Sequence, residues 1–203
     1  MKSLKTIGVV DFPESKGINI NMMPFIMGDL LSIPIEYRHY SDIINSCDLP
    51  ESEIGKIGYL TITESLVTKG ESQRRGGIHT EKHPNRSWGG GGGSWGGHEG
   101  GIYMASNVNN SCSIWNNFIE EPGDMGCCEH IREELGEGKL LKKGELVWIT
   151  DATPHESMPL KENTKRQFFR LVTSDVSIWY KDHSTENRLG VKTNAQIIEG
   201  NKF

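Results

Sequence analysis

The chain contains no run of about 20 apolar residues, the length a helix needs to cross a bilayer. Its opening stretch, MKSLKTIGVVDFPES, has neither the apolar core nor the small-residue cleavage site of a secretion signal. Both absences point to a soluble, cytoplasmic protein without a membrane partner. A basic excess is also missing, since 22 Lys and Arg stand against 27 Asp and Glu for a net charge of -5. Nucleic-acid binders usually present a basic field, because neutralising phosphates drives their affinity, so nucleic acid is not expected as a partner. Cysteine is scarce: Cys47, Cys112, Cys127 and Cys128 form no CxxC pair, which excludes zinc-knuckle and thioredoxin-like motifs. A metal site built on Cys127, Cys128 and His130 would lack a fourth ligand at familiar spacing, so these read as ordinary loop thiols. No internal repeat is visible.

What remains is mostly strand-forming. At 203 residues the chain is long enough for one ordinary domain with a real core, and residues 1–203 are read as one domain. KIGYLTITESLVTKG (56–70) alternates and is rich in β-branched and aromatic residues, as a long or bent strand requires. GIYMASNVNNSCSIWNNFI (101–119) predicts two strands broken at the turn-forming Asn109-Asn110 pair. ELVWITDA (145–152), RQFFRLVTS (166–174) and VSIWY (176–180) add further strands. Helix is expected in MPFIMGDLLSI or YRHYSDIINSC, and in the short charged CEHIREELG. Short strands joined by turns predict a sandwich, barrel or jelly roll.

The stretch GGIHTEKHP (76–84) carries the first chemistry. In a strand His79 and Glu81 share one face, while Thr80 and Lys82 point the other way. One imidazole and one carboxylate can then occupy adjacent positions on a metal. A third ligand is offered by His155, after a strand through Leu146–Ile149 and a turn at Asp151–Pro154. Two histidines and a carboxylate make the facial triad of non-haem Fe(II) oxygenases, with three positions left for other ligands. His83 is an alternative ligand, but it directly precedes Pro84, where the strand should end. The glycine-rich segment SWGGGGGSWGGHEGG (87–101) lacks the GK[ST] ending of a phosphate loop. It reads either as a plain surface linker with a solvated His98 or as a lid over the substrate, in which Trp88 and Trp95 supply apolar cover and His98 approaches the metal.

Arg166 and Arg170 follow His155 by eleven and fifteen positions, in KRQFFRLVTS. In a strand they share a face with Phe168, with Cα atoms about 13 Å apart at ~3.3 Å per residue. Two guanidiniums on an apolar face are costly unless an anion meets them. Both could reach one short dicarboxylate, since arginine binds carboxylates bidentately. Either could instead pair with a structural acid such as Asp151 or Glu156.

His79-Thr80-Glu81, His155, Arg166 and Arg170 together resemble the Fe(II)/2-oxoglutarate-dependent dioxygenases, in particular the taurine dioxygenase and clavaminate synthase branch. The resemblance covers about a fifth of the chain, and the large insert usual in that branch between the ligands is missing. It implies a double-stranded β-helix, a cupin-like jelly roll with a few short flanking helices. It further implies Fe(II) on His79, Glu81 and His155, with 2-oxoglutarate and O₂ as co-substrates. Arg170 would hold the distal carboxylate of 2-oxoglutarate and Arg166 would lie near its metal-bound end. Succinate and CO₂ would be released as a small molecule, for example an amino-acid-like one, is hydroxylated, and desaturation or cyclisation would use the same iron site. Glu81 argues against a halogenase, whose site lacks the carboxylate. Two rivals stay open: a cupin-type metalloenzyme that does not use 2-oxoglutarate, and a non-enzymatic jelly-roll binding or structural protein. Substrate contacts from Arg38 and Tyr40, or from YMASNV, are further expectations.

Overall fold

Extended chain dominates the computed structural model, which describes residues 3–83, 86–87 and 100–200. The strands are β1 (Leu4–Val9), β2 (Asn19–Ile26), β3 (Ile57–Val67), β4 (Lys82–His83), β5 (Arg86–Ser87), β6 (Ile102–Ser106) and β7 (Cys112–Ile114). They continue as β8 (Lys139–Leu140), β9 (Glu145–Ile149), β10 (His155–Ser157), β11 (Thr164–Val172), β12 (Ile178–Tyr180) and β13 (Gln196–Ile198). Two short α-helices, α1 (Ser41–Ser46) and α2 (Arg132–Leu135), are accompanied by 3-10 turns. No helix among the described residues is long and apolar enough to cross a membrane.

Six strands form the main sheet in the order β1-β9-β6-β11-β3-β2, and β10-β7-β8 form a smaller one. The pairs β12-β13 and β4-β5 stand apart. At the centre, β11 runs antiparallel to β3 with Phe169 opposite Ile62 and Arg170 opposite Thr61. Its other edge pairs with β6, where Arg170 faces Met104. Side-chain alternation then separates two cores. Ile62, Phe169 and Leu171 pack with Ile20, Met23, Tyr40 and Ile43 on one side. Phe168 and Val172 pack with Met104, Ile114 and Val147 on the other, towards the smaller sheet. Arg166 and Arg170 have the parity of Phe168, so they occupy the second face, as the sequence predicted.

The expected double-stranded β-helix is overturned. The main sheet ends at β1 and β2, and the smaller sheet ends at β10 and β8; among the described residues no ladder joins these edges, so none of the sheets closes into a jelly-roll barrel. The architecture is a mixed α/β arrangement of open sheets. Alternation in sequence reports which face of a strand is buried, whereas closure depends on which edges pair, and alternation carries no information about that. The helix expectations divide similarly. YRHYSDIINSC and CEHIREELG supply α1 and α2, but Met23–Ile26 continues β2 against β3. Gly28, at φ +84°, then turns the chain into the 3-10 turn Leu30–Ser32.

A buried carboxylate ties the first core together. Glu64 on β3 accepts from the Lys16 and Ile18 backbone N–H groups at 2.7 and 2.9 Å, and from the Tyr40 hydroxyl at 2.7 Å. Gln167 Nε2 on β11 donates to it at 3.1 Å. Burial alone would raise the Glu64 carboxyl; the Ile18 N–H, the Tyr40 hydroxyl, the Lys16 N–H and Gln167 together hold it below its ordinary value. Its contribution is therefore complete above the unfolded-state value and is lost as pH falls through the lower folded value. A Glu64→Gln protein should lose about 1.5–3 kcal/mol at pH 7. The deficit should shrink on acidification, as read by denaturant unfolding at neutral and acidic pH.

Candidate metal centre

The segment that carries His79 and Glu81 is extended but belongs to no sheet of its own. It is clamped on both sides by backbone. His79 N donates to His155 O at 3.0 Å, and His155 N returns the bond to His79 O at 2.9 Å. On the other flank Thr80 N donates to Gly126 O at 2.9 Å and Cys128 N to Ile78 O at 2.8 Å. Lys82 N reaches Asp151 O at 2.8 Å. This clamp keeps the alternation of a strand, so His79 and Glu81 face a cavity of about 330 Å³ that Thr80 and Lys82 do not line.

His155 opens β10, after a turn held by Thr153, whose hydroxyl donates to Ser3 O at 2.7 Å and accepts from Thr150 N at 3.0 Å. One ligand atom from each of His79, Glu81 and His155 can be chosen so that all lie within 4.8 Å of one another, and all three residues are buried. The tautomers follow from the carbonyls beside them. Nδ1 of His79 lies 2.7 Å from Gly77 O, and Nδ1 of His155 lies 3.0 Å from Thr153 O. A carbonyl only accepts, so each Nδ1 carries the proton and each Nε2 keeps its lone pair for a metal. His155 Nε2 lies 3.8 Å from Glu81 Oε1. Burial, reinforced by His155, holds His79 well below the ordinary imidazole value, in the neutral form a metal requires. Two imidazoles and a buried carboxylate form a two-His-one-carboxylate cluster of the kind that takes Fe(II) or a similar transition metal, and they support a metalloenzyme function.

Arg170 extends from β11 to this cluster, its Nη1 donating to Glu81 Oε1 at 2.6 Å. Its Nε and Nη2 are buried and have no partner among the described residues. Arg166, also buried, donates from Nε to Ser106 Oγ at 3.1 Å and from Nη1 to Ser157 Oγ at 3.0 Å. Burial lowers its guanidinium to about 10. Glu156 is taken instead by Arg132, whose Nη2 bonds it at 2.8 Å. Arg132 also holds Glu129 at 2.7 Å, and Glu129 accepts from Ile78 N at 2.6 Å, which braces the ligand segment against β10.

Several residues without an earlier role also line the cavity, Gln73, Arg74, Cys112 and His183, together with Met104. Burial pushes the Cys112 thiol up to about 12 and so keeps it protonated. An arginine pair directly before GGIHTE was the available signal for Arg74. Met104 belongs to YMASNV, but Arg38 and Tyr40 lie elsewhere, on the Ile33 carbonyl and Glu64. The described cysteines are free thiols, and Cys127, Cys128 and His130 form no ligand cluster among the described residues. His83 has a described backbone only, and Trp88, Trp95 and His98 lie outside the described residues. No protein-family model, curated protein or solved structure matches the chain.

Removing a ligand should cost more than the 10- to 100-fold in metal affinity that losing an outer hydrogen-bond partner costs. Titration of apo protein with Co(II) should therefore give one site in the wild type and a far weaker one in His155→Ala. Gly126 stands at φ +76°, and a Cβ there would sit 2.3 Å from Thr80 O. Gly126→Ala should push the ligand segment out of place and destabilise the fold by about 1–3 kcal/mol. Thermal melts, with the same Co(II) titration, would show both losses.

Proposed function

We propose that the protein is a non-haem Fe(II)- and 2-oxoglutarate-dependent dioxygenase that hydroxylates a small molecule. The observation that carries this reading is Arg170, a buried guanidinium beside a metal cluster with two donors unmet. Buried polar groups are normally satisfied, so unmet charged donors facing a cavity call for an anion. Arg166 opens on the same cavity and is met only by serine hydroxyls. A metal with two arginines nearby suits a molecule with a chelating 2-oxo acid at one end and a carboxylate at the other.

The contact between Arg170 and Glu81 favours Arg170 for the 2-oxo acid end, next to the metal. Arg166, bonded to Ser157 two residues beyond His155, then takes the distal carboxylate, with Ser106 and Ser157 as added donors. That exchanges the two roles implied by the resemblance. Bound Fe(II) supplies the redox chemistry that couples loss of CO₂ from 2-oxoglutarate, by reaction with O₂, to oxidation of the substrate. His79 and His155 hold their Nε2 lone pairs inward, Glu81 offsets metal charge, and the apolar Met104 and Phe168 limit water beside the site. A cavity of about 330 Å³ lies at the lower end of the range of small-molecule sites.

Anaerobic addition of Fe(II) and 2-oxoglutarate should produce a weak visible charge-transfer band, and aerobic turnover should release succinate. Iron binding without any effect of 2-oxoglutarate would replace this reading with a metalloenzyme that does not use it. Arg166→Met should weaken 2-oxoglutarate binding about 10- to 150-fold, the worth of one or two charge-assisted hydrogen bonds. Iron affinity should stay unchanged.

A further inference from the structure

A third guanidinium shares the cavity and has no role in the scheme above. Arg74 lies five residues before His79, and the carboxylate that acts on it, Glu81, is already bonded to Arg170. Its Nη2 makes one long hydrogen bond, 3.3 Å to Asn21 Oδ1, an atom that also accepts from Thr61 Oγ1 at 3.2 Å. Its guanidinium carbon stands 5.6 Å from the centroid of the Phe168 ring, which orients the fork without neutralising it. Arg75, by contrast, is tied down by a 2.7 Å bond from Nη1 to Met125 O.

The preceding residue adds a second, different group. Gln73 Nε2 donates to Arg166 O and to Ser65 Oγ, both at 2.9 Å. A backbone carbonyl must meet a donor, so this bond fixes which end of the amide is nitrogen. The Oε1 atom of Gln73 is then a buried acceptor on the cavity wall with no partner among the described residues. A cation held by one long hydrogen bond and an acceptor with no partner among the described residues therefore line one cavity on consecutive residues.

Charge balance points the same way. A divalent metal with one carboxylate ligand keeps one positive charge, and Arg166 and Arg170 add two. Bound 2-oxoglutarate offsets two of these, and Glu156 is committed to Arg132. One of the three charges then remains, and Arg74 raises the excess to two, which is expensive in a water-poor site unless the substrate brings an anion.

We propose that Arg74 and Gln73 are the substrate-recognition pair. They select a small carboxylic acid that carries an N–H or O–H donor near its acid group, such as an α-amino, α-hydroxy or N-acylamino acid. The carboxylate docks on the Arg74 fork and the donor meets Gln73 Oε1. This rests on the dioxygenase reading, because it assigns Arg166 and Arg170 to the co-substrate.

The test uses the full chain loaded with redox-inert Zn(II) and saturated with 2-oxoglutarate, with binding read by NMR titration. The probes are matched pairs: lactate with lactamide, and N-acetylglycine with N-acetylglycinamide. At least one acid should bind about 10-fold or more tighter than its amide, since one charge-assisted hydrogen bond is worth about 1.4 kcal/mol or more. Lactate should also bind tighter than propionate, which lacks the donor. Arg74→Met should bring acid and amide to equal affinity while leaving 2-oxoglutarate binding as in the wild type. Equal binding of acids and amides by the wild type would overturn the proposal. So would an Arg74→Met protein that loses 2-oxoglutarate as severely as Arg166→Met, because Arg74 would then belong to the co-substrate. Acids that bind through Arg74 in a protein that ignores 2-oxoglutarate would sink the dioxygenase reading and keep the anion site.

Discussion

The paired backbone bonds between His79 and His155 are the contact on which the centre depends. They bring together residues that are far apart in the chain, and each bond is a full N–H to C=O contact in a water-poor setting. Because the two backbones exchange bonds, their side chains emerge side by side, with ring centroids 4.6 Å apart. Glu81, two residues on, falls on the same side by alternation. The donor set therefore depends on one small piece of antiparallel geometry, and the Gly126 loop and the Glu129–Arg132–Glu156 brace hold that piece in place.

Behind this clamp, the main sheet supplies the charge. β11 is an interior strand paired on both edges, by β3 and β6, which gives long arginine side chains a rigid base. Its alternation sends Phe169 and Leu171 into one core and Arg166, Phe168 and Arg170 towards the cavity lined by His79, Glu81 and His155. The balance of cost and gain is local. Burying Arg166 and Arg170 against hydroxyls and a single carboxylate is unfavourable for stability, and such a cost commonly persists at a functional site. The Glu64 network on the opposite face is satisfied by contrast, with backbone, hydroxyl and amide donors all meeting one carboxylate. One face of the sheet holds structure together and the other holds unmet charge.

Residue spacing put His79 and Glu81 on one face and Arg166 and Arg170 on another, and offered His155 as a candidate third ligand. The shared faces follow from the two-residue period of an extended chain, which is a local property, whereas the place of His155 beside His79 is a pairing across the fold. The strand segments of β3, β6, β7, β9 and β11 were legible for the same reason, as was the break at Asn109-Asn110, where Asn110 has φ 56°. Only the tertiary structure decided that the sheets stay open, because edge pairing joins distant segments and leaves no periodic trace. It also decided that Arg170 rests on Glu81, that Glu156 belongs to Arg132, and that Gln73 and Arg74 enter the cavity. Those contacts depend on how a loop crosses a sheet, and sequence alternation does not extend through a loop.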